Sequence, residues 1–313
     1  MKTVLVTGGL GQIGSHVAEM LLARGDKVVV IDNLATGRVE HLAPHDRLTV
    51  VIDTISDKNV VDRIVQDHRP EAIVHTAASY KDPDDWHSDT LTNCVGGSNV
   101  VHAARNHGVN RIIYFQTALC YGLRPQQHPI RLDHPRNPAP NSYAISKTTN
   151  ELYLESSGVD YVTFRLANVI GPRNVAGPLP IFYQRLRDKK PCFVTAARRD
   201  FVYVKDLAKV VLKACDGVGQ GAYHFSSGKD VSIQELYDAV VDAMGLSPAP
   251  QAERRELAPD DVASILLDPS RTFDDFGAIR FTPLRETVAA AIDYYQKHGT
   301  LGEYTHLRLK AAG

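Results

Sequence analysis

Short runs of aliphatic, mostly β-branched residues recur through the first half of the chain: TVLVTG from Thr3, KVVVID from Lys27, LTVVID from Leu48, AIVHTAA from Ala72 and RIIYFQT from Arg111. The stretches between them change period. Ile13 to Ala23 is amphipathic and closes on Gly25, and polar helical stretches cover Asp57 to His68 and Asn93 to His107. Strands that are almost continuously Val and Ile are those covered on both faces, as in a parallel sheet. Strand–helix alternation of this kind predicts an α/β fold, a Rossmann-type doubly wound parallel sheet with its ligand site at the carboxyl ends of the strands.

Beyond Leu166 the pattern loosens. Gly and Pro punctuate NVIGPRNVAGPLP, a helical pattern follows in IFYQRLRDKK, and Ser232 with Glu235 forms a capping box in front of another helix. A last helix is expected from Leu284 to Lys297. The pattern divides the chain into a dinucleotide-binding domain over 1–167 and a smaller, mainly substrate-binding lobe over 168–313, with segments near 200–215 returning to the first.

Composition changes this picture little. The 313 residues are 43% hydrophobic and 23% charged with a formal net charge of −1, so neither nucleic acid nor an anionic membrane surface is an expected partner. Four scattered cysteines with no CxxC pair fit a reducing compartment. The N-terminus runs straight into a strand pattern rather than a cleavable leader, and no apolar run is long enough to span a bilayer. A cytoplasmic location is expected.

The first candidate chemistry lies in VLVTGGLGQIGSHVAEMLLARG, where Gly8, Gly9, Gly11 and Gly14 stand between a strand and a helix. Glycines there permit a tight turn and let a diphosphate approach the helix N-terminus. Asp32 ends the second strand, where a carboxylate binds the adenosine ribose hydroxyls, and no arginine follows to receive a 2′-phosphate, so NAD is the expected cofactor. The residues expected to line it are Gly8, Gly11, Gln12, Ile13, Gly14, Asp32, Asn33, Asp53, Thr54, Ala77 and Asn93, together with Tyr143 and Lys147. Asp53 is either an adenine contact or a loop acid. The histidines show no metal-ligand spacing, so no metal is expected.

NSYAISKTTNELYLE places Tyr143 and Lys147 on one helix face. A free tyrosine titrates near a pKa of about 10, and a neighbouring ammonium would stabilise its phenolate, as would the positive nicotinamide. Thr117 ends the preceding strand, ahead of that helix, where its hydroxyl can bond a substrate alcohol. Thr117, Tyr143 and Lys147 are therefore the candidate catalytic residues.

With these motifs in order, the chain resembles the extended short-chain dehydrogenase/reductase family, and within it the nucleotide-sugar epimerases and dehydratases. HTAA at His75–Ala78, Asn93 in TNCVGGSNVV, Arg165 and Asn168 in FRLANVIGPR, and Arg199 and Asp206 in RRDFVYVKDLA match its segments. The resemblance implies NAD, a nucleotide-sugar substrate (a UDP-sugar first), substrate contacts from Asn168 and Arg199, and a homodimer through helices near Asn93–His107 and Ser142–Glu155. Arg173 is a further candidate for the substrate diphosphate. Asn93 either contacts the cofactor or ties helix to sheet.

Two departures sharpen the expectation. Dehydrating members carry an acidic pair after the catalytic hydroxyl, and decarboxylases usually a Glu, where this chain has Ala118 and Leu119. Reversible oxidation remains, simplest as C4 epimerisation, with a net dehydrogenase as the rival and an acid from the Asp82–Asp85 loop as the only route back to elimination. A sensor that binds NAD without turnover would commonly lack the Tyr or Lys. Ala258 stands where many epimerases have a diphosphate-binding arginine, leaving Arg254, Arg255, Arg199 and Arg173 as candidate replacements. Lys81 is either a substrate contact or a solvated loop lysine.

Overall fold

The computed structural model describes residues 1–80, 82–138, 140–257 and 262–300. Seven parallel strands form one sheet: β1 (Thr3–Thr7), β2 (Lys27–Asp32), β3 (Leu48–Ile52), β4 (Ala72–His75), β5 (Arg111–Thr117), β6 (Asp160–Leu166) and β7 (Gly221–Phe225). Their spatial order is β7-β6-β5-β4-β1-β2-β3. The winding reverses between β1 and β4, and a crevice opens there at the carboxyl ends. Five of these strands match the runs read from periodicity, while β6 (DYVTFRL) and β7 (GAYHF), which comes from far along the chain, have no counterpart there.

Alternate strand residues feed opposite layers. Val4, Val6, Val28 and Val30 pack with Val17 and Leu21 of α1 (Gln12–Arg24) and with Leu207 and Val211 of α6 (Val204–Cys215). Leu5, Val29 and Ile31 face α2 (Lys58–His68) and α3 (Gly97–Asn106), while Leu154 of α4 (Ser142–Ser156) joins the same layer. The segment near 200–215 thus returns to the large unit as α6, lying along α1. One strand departs from its pattern. In β3, the last strand of the sheet among the described residues, the apolar run LTVVI predicts burial on both faces, yet Val50 and Ile52, which share one face, are exposed.

The smaller lobe has its own core. Phe182 and Tyr183 of α5 (Pro178–Arg187), Leu236 and Tyr237 of α7 (Ile233–Ala243), and Val288 and Tyr295 of α8 (Leu284–His298) pack with Ile170, Cys192 and Val194. Ser232 and Glu235 close the expected capping box at the start of α7. Among the described residues no helix is long and apolar enough to cross a membrane.

Candidate active site

A cavity of about 690 Å³ runs from the glycine loop after β1 to the lobe. At its first end the chain turns sharply through Gly8, whose φ of +65° is the left-handed region and whose absent Cβ leaves room for the Ala77 backbone. A Cβ on Gly14 would overlap the Gly8 carbonyl oxygen, so this glycine packs helix on strand and does not line the cavity. Gly11 caps α1 without a side-chain acceptor, and the helix amides there face the cavity bare. Asp32 accepts the Leu10 and Leu34 amides at 2.9 and 2.8 Å, holding its carboxylate at the mouth of the crevice. Burial pushes its carboxyl up, against the pull of those two amides. Gln12, Ile13, Asn33, Asp53, Thr54 and Ala77 join Gly8, Gly11 and Asp32 along this end. A carboxylate for the ribose, a bare helix end for the diphosphate and a glycine cradle fit a dinucleotide.

At the middle of the cavity stand Thr117, Tyr143 and Lys147. Thr117 closes β5 and caps the short turn at Ala118–Tyr121, its hydroxyl oxygen accepting the Leu119 amide at 3.2 Å. Asn141 caps α4 by accepting the Ala144 amide at 3.0 Å, which puts Tyr143 in the first turn and Lys147 one turn on. Lys147 is buried, its ammonium 4.2 Å from the Tyr114 ring centroid. Burial lowers its pKa to about 7, opposed by the Glu151 carboxylate one turn further along. Burial, with Tyr80 and Asp89 nearby, raises the Tyr143 phenol well above its ordinary value. Burial therefore outweighs what Lys147 alone contributes, which leaves the positive nicotinamide, the second charge expected from the sequence, to draw the phenol down.

Beneath this site lies a buried charge network. Glu151 accepts Arg165 Nε at 3.0 Å, Gln116 Nε2 at 3.1 Å and an Arg136 nitrogen at 3.2 Å. Gln116 Oε1 in turn accepts the Thr117 amide at 2.8 Å. Arg165 also donates to Tyr121, whose hydroxyl pairs with His224 Nε2. The arginine of the FRLANVIGPR segment is thus a brace under the catalytic strand.

Besides Gly14, two expected contacts fall elsewhere. Asn93 is buried away from the cavity, bonding the Ser79 backbone at both its carbonyl and amide and the Ser146 hydroxyl, and so ties the β4 loop to α4. Arg173 points at α1, donating to Ser15 Oγ at 2.9 Å and Glu19 Oε1 at 2.6 Å. Burial would raise Glu19, but hydrogen bonds from His16 and Arg173 outweigh it and hold the carboxyl at about 2. An arginine so paired is not a substrate contact. His75 is buried against Thr7 and Tyr114, its pKa lowered to about 3 by burial. Asp206 accepts the Thr282 amide and Lys209 Nζ.

Asn168 and Arg199 do line the cavity, on the lobe side. Arg185, Asn174 and the aromatic rings of Phe182, Phe193 and Phe201 join them. Sequence reading missed these, because an arginine or asparagine in a lobe helix or loop carries no local signature of facing a cleft. Arg255 stacks on Phe193 and bonds Glu253, and neither it nor Arg254 reaches the cavity. Ala258 and Lys81 lie outside the described residues.

A doubly wound sheet with a glycine cradle, a ribose carboxylate and a Tyr–Lys helix defines a dinucleotide-dependent enzyme of the short-chain dehydrogenase type. A model of the NAD dependent epimerase/dehydratase family matches residues 4–225. Among solved structures, the Bordetella bronchiseptica enzyme WbmH in complex with NAD+ is 68% identical with a TM-score of 0.94, over 96% of this chain and 100% of that one. WbmG of the same organism, solved with NAD and UDP, is 40% identical with a TM-score of 0.88, over 97% and 98%. The UDP-glucose 4-epimerase of Mycolicibacterium smegmatis is 30% identical over 95% of this chain and 99% of its own length. The chain belongs to the NAD-dependent epimerase/dehydratase family, and its cofactor is NAD.

Proposed function

We propose that this enzyme inverts C4 of a nucleotide-diphosphate sugar, a UDP-sugar first, through a transient 4-keto intermediate. The choice within the family rests on the two residues after Thr117. Ala118 and Leu119 are buried in an apolar cluster with Cys120, Tyr121, Ile130 and Val262, so the position of an eliminating acid is hydrocarbon. Asp82 and Asp85 border the cavity, yet Asp82 accepts the Asp84 amide and Asp85 caps the turn at Ser88. The Ser88 hydrogen bonds hold the Asp85 carboxyl below its ordinary range, the opposite of a general acid poised near neutrality.

NAD, when bound, supplies a positively charged hydride acceptor and later returns the same hydride. Tyr143 removes the proton of the C4 hydroxyl and gives it back to the opposite face. Thr117 Oγ1 donates a hydrogen bond to the C4 oxygen and steadies it as alkoxide and ketone. Lys147 orients the cofactor ribose and adds its charge to the field that draws the proton from Tyr143. Asn168, Arg185 and Arg199 grip the nucleotide end, so the sugar is free to turn over while the nucleotide stays. The name of the M. smegmatis relative and the UDP in the WbmG complex support this reading.

The test is proton NMR of purified enzyme with UDP-glucose, UDP-N-acetylglucosamine and UDP-glucuronic acid, no NAD added. A product of unchanged mass with C4 inverted is expected. NADH rising in step with a keto product, and only with added NAD, would establish a net dehydrogenase instead.

Homodimerisation belongs to the same proposal. Leu91, Val95, Ile145, Leu152 and Tyr153 are exposed on the two helical segments expected to pair, an apolar face that isolated helices in water do not favour. Ile145→Glu should convert a dimer to monomers by sedimentation; a wild-type monomer would remove this part of the proposal.

A further inference from the structure

The loop that joins the sheet to α5 crosses the N-terminus of α1. Its backbone takes the left-handed region at Gly171, Arg173 and Gly177, and Arg173, with a φ of +67°, is the position where an L side chain rarely sits. Such a conformation persists where its surroundings over-determine it, and here they do. The Arg173 guanidinium bonds Ser15 and Glu19 of α1, and Tyr295 of α8 donates its hydroxyl to the Asn174 carbonyl at 2.8 Å. The loop is therefore pinned on both sides, by the cofactor helix and by the last helix of the lobe.

What this pinning presents is an amide pair. Asn174 Nδ2 donates to Gln12 Oε1 at 3.2 Å, leaving Gln12 Nε2 and Asn174 Oδ1 buried and without a protein partner. Both residues line the cavity, and Asn174 is only 8% exposed. Reversing both amides exchanges the roles and still leaves one donor and one acceptor. A buried amide group left unpaired is unfavourable by the full desolvation of that group, so the arrangement makes sense when a bound molecule completes it. Gln12 is the first residue of α1, beside the uncapped helix end where a diphosphate fits.

We propose that residues 172–174 are a clasp on the cofactor diphosphate. Gln12 Nε2 donates to a phosphate oxygen while Asn174 holds the Gln12 amide from the lobe side, and the Arg173–Glu19 tether holds the clasp shut. Release of NAD then requires the loop to lift from α1. An enzyme that reuses one NAD gains from slow release.

The experiment follows NAD leaving the purified holoenzyme, with no sugar present, by trapping free NAD with an indicator dehydrogenase. Its outcome is therefore independent of the epimerase reading. Asn174→Ala is expected to release NAD about ten- to a hundredfold faster, the scale of a hydrogen bond to a charged group. Asn174→Asp, which keeps the volume, should release it faster still by setting a carboxylate against the phosphates. Arg173→Met, which leaves every cavity side chain in place, should also speed release. Binding of ADP-ribose should weaken in step in the Asn174 variants while binding of adenosine is unchanged, a split that loose lobe packing would not produce. Wild-type release from Asn174→Asp, or equal weakening of adenosine, would overturn the clasp.

Discussion

The two ends of the cavity are built by different means. The cofactor end is nearly all main chain: a left-handed glycine, an uncapped helix start and one carboxylate held by two amides within the first 34 residues. The lobe end is all side chains, drawn from Asn168, Arg185, Phe193, Arg199 and Ile265, on elements that meet only after the chain has folded. Main-chain recognition reads a diphosphate, which any dinucleotide carries. Side-chain recognition can be retuned one residue at a time, which suits the end we propose for the substrate. Between them the candidate catalytic residues Thr117, Tyr143 and Lys147 sit on rigid elements, a strand end and the first two turns of a helix, over the charged brace of Glu151 and Arg165.

The comparison breaks most visibly at the centre. Tyr143→Phe should lower turnover by about a thousandfold or more, the upper range for a lost proton-transfer group, with NAD still bound. Residual activity near wild type would remove Tyr143 as the base. Next in size is the brace. Arg165→Met leaves Glu151, which is fully buried, with one charged partner fewer, and should destabilise the fold by about 3 kcal/mol, the scale of a broken buried ion pair. An unchanged urea midpoint would show that Arg136 alone neutralises Glu151.

Asp32→Ala tests the main-chain end. The carboxylate receives the Leu10 and Leu34 amides and faces the ribose site, so NAD affinity should fall about tenfold or more, with KM for the sugar nucleotide little changed at saturating NAD. Equal losses in both would mean that the two ends are one mechanical unit.

A pH dependence tests the centre in a second way. Lys147 has its pKa lowered to about 7 by burial, while an unfolded lysine titrates near about 10.4. Between those values the unfolded chain binds the extra proton, so stability rises with pH across the window. Below it the buried ammonium counts fully against the fold. Lys147→Met should therefore be more stable than wild type at pH 6, and the gap should narrow toward pH 10. A constant gap in urea melts across that range would show that Lys147 keeps its ordinary pKa.

The same contrast explains what could be read in advance. The strand–helix alternation, the α1 boundary at Gly25, the capping box at Ser232 and Glu235, and the line of Gly8, Gly11, Asp32, Thr117, Tyr143 and Lys147 around one cavity were legible in the residues. Each depends on a local backbone conformation or on spacing within one element. Arg173 looked like a ligand contact and is a brace, and which of the two readings of Asn93 holds was not legible, because the groups that claim them, Glu19 and Ser146, are distant in the chain. How far burial raises the Tyr143 phenol and lowers the Lys147 ammonium is not legible in their spacing.

From its sequence alone this protein is a doubly wound dinucleotide enzyme with a Thr–Tyr–Lys constellation and no eliminating acid beside it, since turns, helix ends and side-chain periodicity are properties of neighbouring residues. Which arginines line the cavity, which buried amides are left without a protein partner and how strongly each titratable group is perturbed were decided only by the tertiary structure. Those outcomes depend on burial and on partners that packing brings together across more than a hundred residues, as with Arg173 and Glu19, which stand 154 positions apart.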